Sequence, residues 1–204
     1  MRDLKIGRRD FLALGLTGSA ALLAYGLVRE KGGAVLLRPP GAQDEIDFTT
    51  RCLRCGECVR ACLTQCLEPA SKDFGTGKLW TPRFNPALAK CEFELCGRAC
   101  AEVCPVGAIR KPADEEVRIG TAAVNRAKCI AWNEGKDCLV CYERCSYGAI
   151  EIDSRGRPRV IADKCTGCGA CQNTCVTCPD PAIVVYPLGT APEGGGGGGR
   201  RGNI

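Results

Sequence analysis

Sixteen of the 18 cysteines in this chain fall into four sets of four, and few folds can use such a pattern. The most regular set is Cys165, Cys168, Cys171 and Cys175, spaced C-x2-C-x2-C-x3-C. Three closely spaced thiolates can wrap one face of an iron–sulfur cube. The fourth leaves on a short helical turn and reaches a second cube. Gly167 and Gly169 suit such a loop, because a backbone without Cβ can pass close to a bulky cluster.

The first set, Cys52, Cys55, Cys58 and Cys62, has the same spacing. The second, Cys91, Cys96, Cys100 and Cys104, has gaps of four, three and three. The third, Cys129, Cys138, Cys141 and Cys145, opens with a gap of eight. Cys66 and Cys178 are left over and are expected to be non-ligands, free thiols that behave as small hydrophobes.

The absence of histidine excludes Cys/His zinc sites, histidine-ligated haem and any catalytic triad that needs imidazole. Thiolate ligands favour iron–sulfur clusters or zinc held by four cysteines. Zinc sites come as two C-x2-C knuckles with a longer stretch between them, which four sets of this spacing fit poorly. A disulfide scaffold would not need cysteines in repeated sets of four. Aromatic residues make up 5% of the chain, too few for a large apolar core, so cofactor bonds are expected to substitute for burial. The formal charge of +5 treats cysteine as neutral. Four oxidised 4Fe–4S centres with their thiolates contribute about −8, which leaves about −3. The basic balance is therefore no argument for nucleic acid.

Residues 1–28 read as an export signal with Arg8-Arg9-Asp10-Phe11-Leu12 before an apolar run to Val28. This resembles the twin-arginine signal, which addresses folded, cofactor-loaded cargo to export. The run is also near bilayer-spanning length, so cleavage and retention as an inner-membrane anchor are both open. Residues 29–48, with Arg38-Pro39-Pro40-Gly41, read as a semi-rigid linker. The cluster domain is expected over 49–190. Residues 191–204, with six glycines at 194–199, read as a disordered tail.

The repeat extends past the cysteines. Val106-Gly107-Ala108-Ile109, Tyr147-Gly148-Ala149-Ile150 and Pro181-Ala182-Ile183 each follow a set's last cysteine. Each predicts a helical turn, a breaker and a small strand. Glu151–Asp153 and Arg159–Ile161 flank a turn and predict a hairpin. In the insert between the first two sets, Trp80 is expected to be a buried or half-buried packing residue. The fold class is α+β, small and loop-rich: two pseudo-twofold bacterial-type ferredoxin units, each with two 4Fe–4S clusters. Two pairings of the sets are possible. The nested one is preferred, joining 49–72 to 163–188 around a middle unit at 85–160, because the outer sets share one spacing and the middle sets are irregular. Sequential pairing, first with second and third with fourth, is the other.

The signal, Arg38-Pro39-Pro40-Gly41-Ala42, Leu79-Trp80-Thr81-Pro82, Cys129-Ile130-Ala131-Trp132 and the four cysteine sets together resemble the MauM/NapG ferredoxin-type proteins. That resemblance implies four 4Fe–4S clusters on the sixteen cysteines, at the periplasmic side of the inner membrane. It implies a carrier rather than an enzyme. Its electrons would come from an integral-membrane polyferredoxin or quinol dehydrogenase and pass to a periplasmic reductase or dehydrogenase, as in anaerobic respiration. The alternative, associated with MauM-type members, is maturation of a periplasmic redox enzyme.

Overall fold

The computed structural model describes residues 35–42 and 44–192. The segment expected to be an export signal and the glycine tail from residue 193 lie outside the described residues. Among the described residues no helix is long and apolar enough to cross a membrane.

The secondary structure is short throughout, as expected of a loop-rich α+β chain. Helix α1 (Glu45–Arg51) is capped by Asp44, whose Oδ1 accepts the Ile46 and Asp47 N–H groups at 3.1 and 3.0 Å. Four single-turn helices each end just before the last cysteine of a set: α2 (Glu57–Arg60), α3 (Ala99–Glu102), α5 (Val140–Glu143) and α6 (Ala170–Asn173). A further turn, α4 (Ile130–Asn133), follows Cys129. One turn is enough to swing the last cysteine away from the preceding three.

Three two-stranded antiparallel sheets complete the fold. Strand β1 (Leu67–Pro69) pairs with β2 (Pro82–Phe84). Strand β4 (Ile150–Ile152) pairs with β5 (Pro158–Val160), the hairpin expected from the sequence, one residue earlier on each side. Asp153 closes its turn by accepting the Arg155 and Arg157 N–H groups at 2.9 and 3.0 Å. Strand β3 (Thr121–Val124) pairs with β6 (Ile183–Tyr186), which joins the segment before the third set to the segment after the fourth. In the first half the Arg110 N–H donates to the Gly41 carbonyl at 3.0 Å, which joins the segment before the first set to the segment after the second. Each half thus closes on itself.

Residues 36–42 are not a spacer. Leu36, Arg38, Pro39, Pro40 and Ala42 are buried in the first half. Arg38, 2% exposed, donates from Nε and Nη2 to the Glu45 carboxylate at 2.7 and 2.6 Å. From Nη1 it donates to Thr81 Oγ1 and the Pro82 carbonyl at 2.9 and 2.7 Å, and its guanidinium lies 4.8 Å from the Phe48 ring centroid. A guanidinium is tolerated at this depth because nearly every donor has a partner and a carboxylate balances the charge. Proline stiffness is real here, but it delivers Arg38 into the core instead of holding the domain at a distance.

The core is small and partly sulfur. Phe48, Phe84, Phe93, Val117 and Ile119 pack with Cys58, Cys66, Cys91 and Cys100 in the first half. Ile150, Ile183 and Val185 pack with Cys165 and Cys171 in the second. Trp80 is 62% exposed, against expectation. Its backbone is left-handed (φ 64°) in the turn that leads into β2, so the ring points away from the core.

Candidate metal centres

Three small cavities are lined by four cysteines apiece. One is lined by Cys52, Cys55, Cys58 and Cys104. Another is lined by Cys145, Cys165, Cys168 and Cys171, and the third by Cys129, Cys138, Cys141 and Cys175. The remaining four sequence-predicted ligands, Cys62, Cys91, Cys96 and Cys100, belong together in the first half. Cys96 and Cys62 both act electrostatically on Cys100, and Cys91 acts in the same way on Cys66, whose Sγ lies 3.5 Å from Cys62 Sγ. Twelve of the sixteen predicted positions therefore line three cavities in groups of four, and the other four are left to the first half.

The grouping corrects the nested pairing. Cys104 stands with the first set and Cys175 with the third, so the sets pair in chain order. The physical reason lies in the closures already described. The Gly41–Arg110 contact and the β3–β6 ladder seal each half around adjacent sets. Similar spacing in the first and fourth sets reflects similar loops, not shared cages.

Those two loops do match in backbone. Arg54 and Gly56 in the first set, and Gly167 and Gly169 in the fourth, are all left-handed, two and four residues after the leading cysteine. Alternation of this kind turns successive N–H groups into a concavity that suits an anionic iron–sulfur centre. Several N–H groups do reach sulfur. Arg54 donates to Cys52 Sγ and Ala122 to Cys165 Sγ, both at 3.4 Å; Ala149 donates to Cys145 Sγ and Ala182 to Cys175 Sγ, both at 3.3 Å. The glycines have a further reason that the sequence did not reveal. A Cβ on Gly167 would lie 2.4 Å from the Gly120 nitrogen, and one on Gly169 would lie 2.9 Å from Phe84 and Pro86. They are needed for the loop to lie against its own protein.

The thiols are held in a low-dielectric setting. Burial, helped by neighbouring Cys52, pushes Cys58 up to about 12. Burial and Cys96 do the same for Cys100, to about 12, and burial and Cys129 raise Cys141 to about 11. Such thiols are protonated at neutral pH, so a cationic metal core must displace their protons when it binds, and acid opposes loading. Cys175 is the exception. Burial raises it, but the Thr177 hydroxyl and the Thr177, Ala182 and Ile183 N–H groups together bring it below the ordinary thiol value.

The donor set fits iron–sulfur cubes better than single ions. Among the described residues no three Cys, Asp or Glu side chains converge closely enough to hold one metal ion. Four sulfurs around a cavity, with N–H groups directed at them, suit a cluster that occupies volume.

The groups also follow one another in space. Cys58 acts electrostatically on Cys100, so the first and second groups are neighbours. Cys141 acts on Cys171 in the same way, which relates the two groups of the second half. The halves meet where the Cys91 N–H donates to the Cys168 carbonyl at 2.8 Å, beside the stacked rings of Phe93 and Tyr147, 5.7 Å between centroids. The order is Cys52/55/58/104, Cys62/91/96/100, Cys145/165/168/171, Cys129/138/141/175.

No protein-family model matches the chain, and no solved structure does. Named relatives do. The ferredoxin-type protein NapG of Escherichia coli (strain K12) is 35% identical over 207 residues, which cover 91% of this chain and 87% of that one. The methylamine utilization ferredoxin-type protein MauM of Methylorubrum extorquens is 35% identical over 199 residues, 88% of this chain and 89% of that one. MauM of Paracoccus denitrificans is 33% identical over 219 residues, 97% and 96% of the two chains. With four cysteine groups in one small mixed helix–strand fold and relatives matched nearly end to end, this chain belongs to the MauM/NapG family of ferredoxin-type proteins.

Proposed function

We propose that the chain is an electron-transfer protein that carries four 4Fe–4S clusters, one on each group of four cysteines, and relays single electrons along them. The observation that carries this reading is the unbroken spatial order of the groups, joined between halves by the Cys91–Cys168 hydrogen bond. Bound clusters would supply one-electron redox chemistry. The protein's own part is to exclude water from the buried thiolates, set the order of the cages and tune each one through its N–H donors.

In this reading each half is a bacterial-type ferredoxin unit with two clusters. Electrons enter from an integral-membrane polyferredoxin or quinol-oxidising partner and leave to a periplasmic oxidoreductase. Support for the compartment is Arg8-Arg9-Asp10-Phe11-Leu12 and the apolar run to Val28, which read as a twin-arginine signal or anchor. The chain needs no substrate pocket for this role.

Deletion of the gene tests the role. The relay reading expects the client oxidoreductase to be exported with its own cofactor complete but to receive no electrons from quinol. A client whose cofactor is immature in the deletion strain would instead assign the chain to maturation.

A further inference from the structure

The second cage contains five cysteines. Cys66, read from the sequence as a non-ligand that behaves as a small hydrophobe, is 1% exposed, and its Sγ lies 3.5 Å from Cys62 Sγ. A tight turn puts it there: the Gln65 N–H donates to the Cys62 carbonyl at 3.1 Å, and Gln65 is left-handed (φ 55°). A β-carbon-bearing residue in that conformation is uncommon, so the turn is held by its surroundings.

Two sulfurs in van der Waals contact cannot serve two corners of one cube, because each corner iron takes its own terminal thiolate in a separate direction. They can serve the same corner in turn. The corresponding corner of the fourth set looks different. Cys175 Sγ faces the Thr177 hydroxyl at 3.2 Å, and the extra cysteine there, Cys178, is exposed. Thr64, which holds the position of Thr177, stands farther from Cys62 Sγ, at 3.9 Å. Where the fourth set offers a hydroxyl, the first offers a second buried thiol.

We propose that Cys62 and Cys66 form a two-thiol corner of the second cage, either of which can hold the iron there. The inference rests on reading this cage as a 4Fe–4S site. With Cys62 as ligand, the Cys66 S–H is the donor to its sulfur. Exchange is balanced: one iron–sulfur bond breaks, the other forms, and the proton of Cys66 passes to Cys62. Net charge is unchanged.

The test is iron per chain and low-temperature paramagnetic resonance after reduction, on full-length protein prepared anaerobically. C62A and C66A should each retain the iron of the unsubstituted protein. The C62A/C66A double variant should lose about four irons, one cluster's content, and keep the rest. C100A removes a corner with no neighbouring spare thiol and should also lose about four. A loss in C62A as large as in C100A overturns the proposal, as does full iron in the double variant. Full iron in C100A, or iron-poor unsubstituted protein, would instead sink the reading of the cage itself.

Discussion

Arg38 shows how much of this fold hangs on single side chains. It makes four hydrogen bonds to three residues distributed over α1, the turn before β2 and β2 itself. Removing one partner of such a buried pair leaves the remaining groups unsatisfied and costs about 3 kcal/mol. R38A is therefore expected to lower the unfolding free energy of the iron-loaded protein by that much, read as a lower denaturant midpoint. R38K should recover little, because an ammonium cannot fork onto Glu45 while also reaching Thr81. Equal midpoints for R38A and the unsubstituted protein, followed by loss of visible absorbance, would contradict this role. Nothing in the sequence announced it. Arg38-Pro39-Pro40-Gly41 has the composition of a linker, and only tertiary contacts show that its arginine points inward. Trp80 failed in the opposite direction: an aromatic residue is a fair guess for the core, but the left-handed turn that leads into β2 turns it out.

The short elements were the most legible part, because their causes are local. A one-turn helix before each last cysteine follows from spacing and a breaker, and all four are present. The β4–β5 hairpin follows from Asp153 and a Gly/Pro-rich turn. The packing of loop on loop was not legible, since it depends on residues far apart in the chain. Gly167 is the clearest case. Its left-handed backbone (φ 73°) and its approach to Gly120 both exclude a side chain, and the strain of forcing one is on the order of 1–3 kcal/mol. G167A is expected to displace the loop that holds Cys165 and Cys168 and to reduce iron content. G77A, where a Cβ meets nothing within 4 Å, should leave iron content unchanged. If G167A carries the same iron as G77A, the loop tolerates what the packing forbids.

At the scale of the molecule, spacing sorts sixteen cysteines into four sets, but it does not say which sets share a cage. The outer sets share a loop geometry, and that likeness pointed to nesting; the closures of each half decide otherwise. A paired substitution separates the two schemes. In chain-order pairing Cys52 and Cys104 share a cage, so C52A/C104A should lose about four irons, the same as either single variant. Under nesting the two serve different cages, and the double variant should lose about eight. The ordered row of cages also gives the fold its logic. A chain with few aromatic residues has its sulfurs at the centre of each half, so loading, folding and electron transfer depend on the same side chains. Full-length protein purified without oxygen should contain about sixteen irons and as many acid-labile sulfides per chain, absorb broadly in the visible and give paramagnetic signals on reduction. Colourless protein that carries zinc, or no metal at all, would contradict the account at its root.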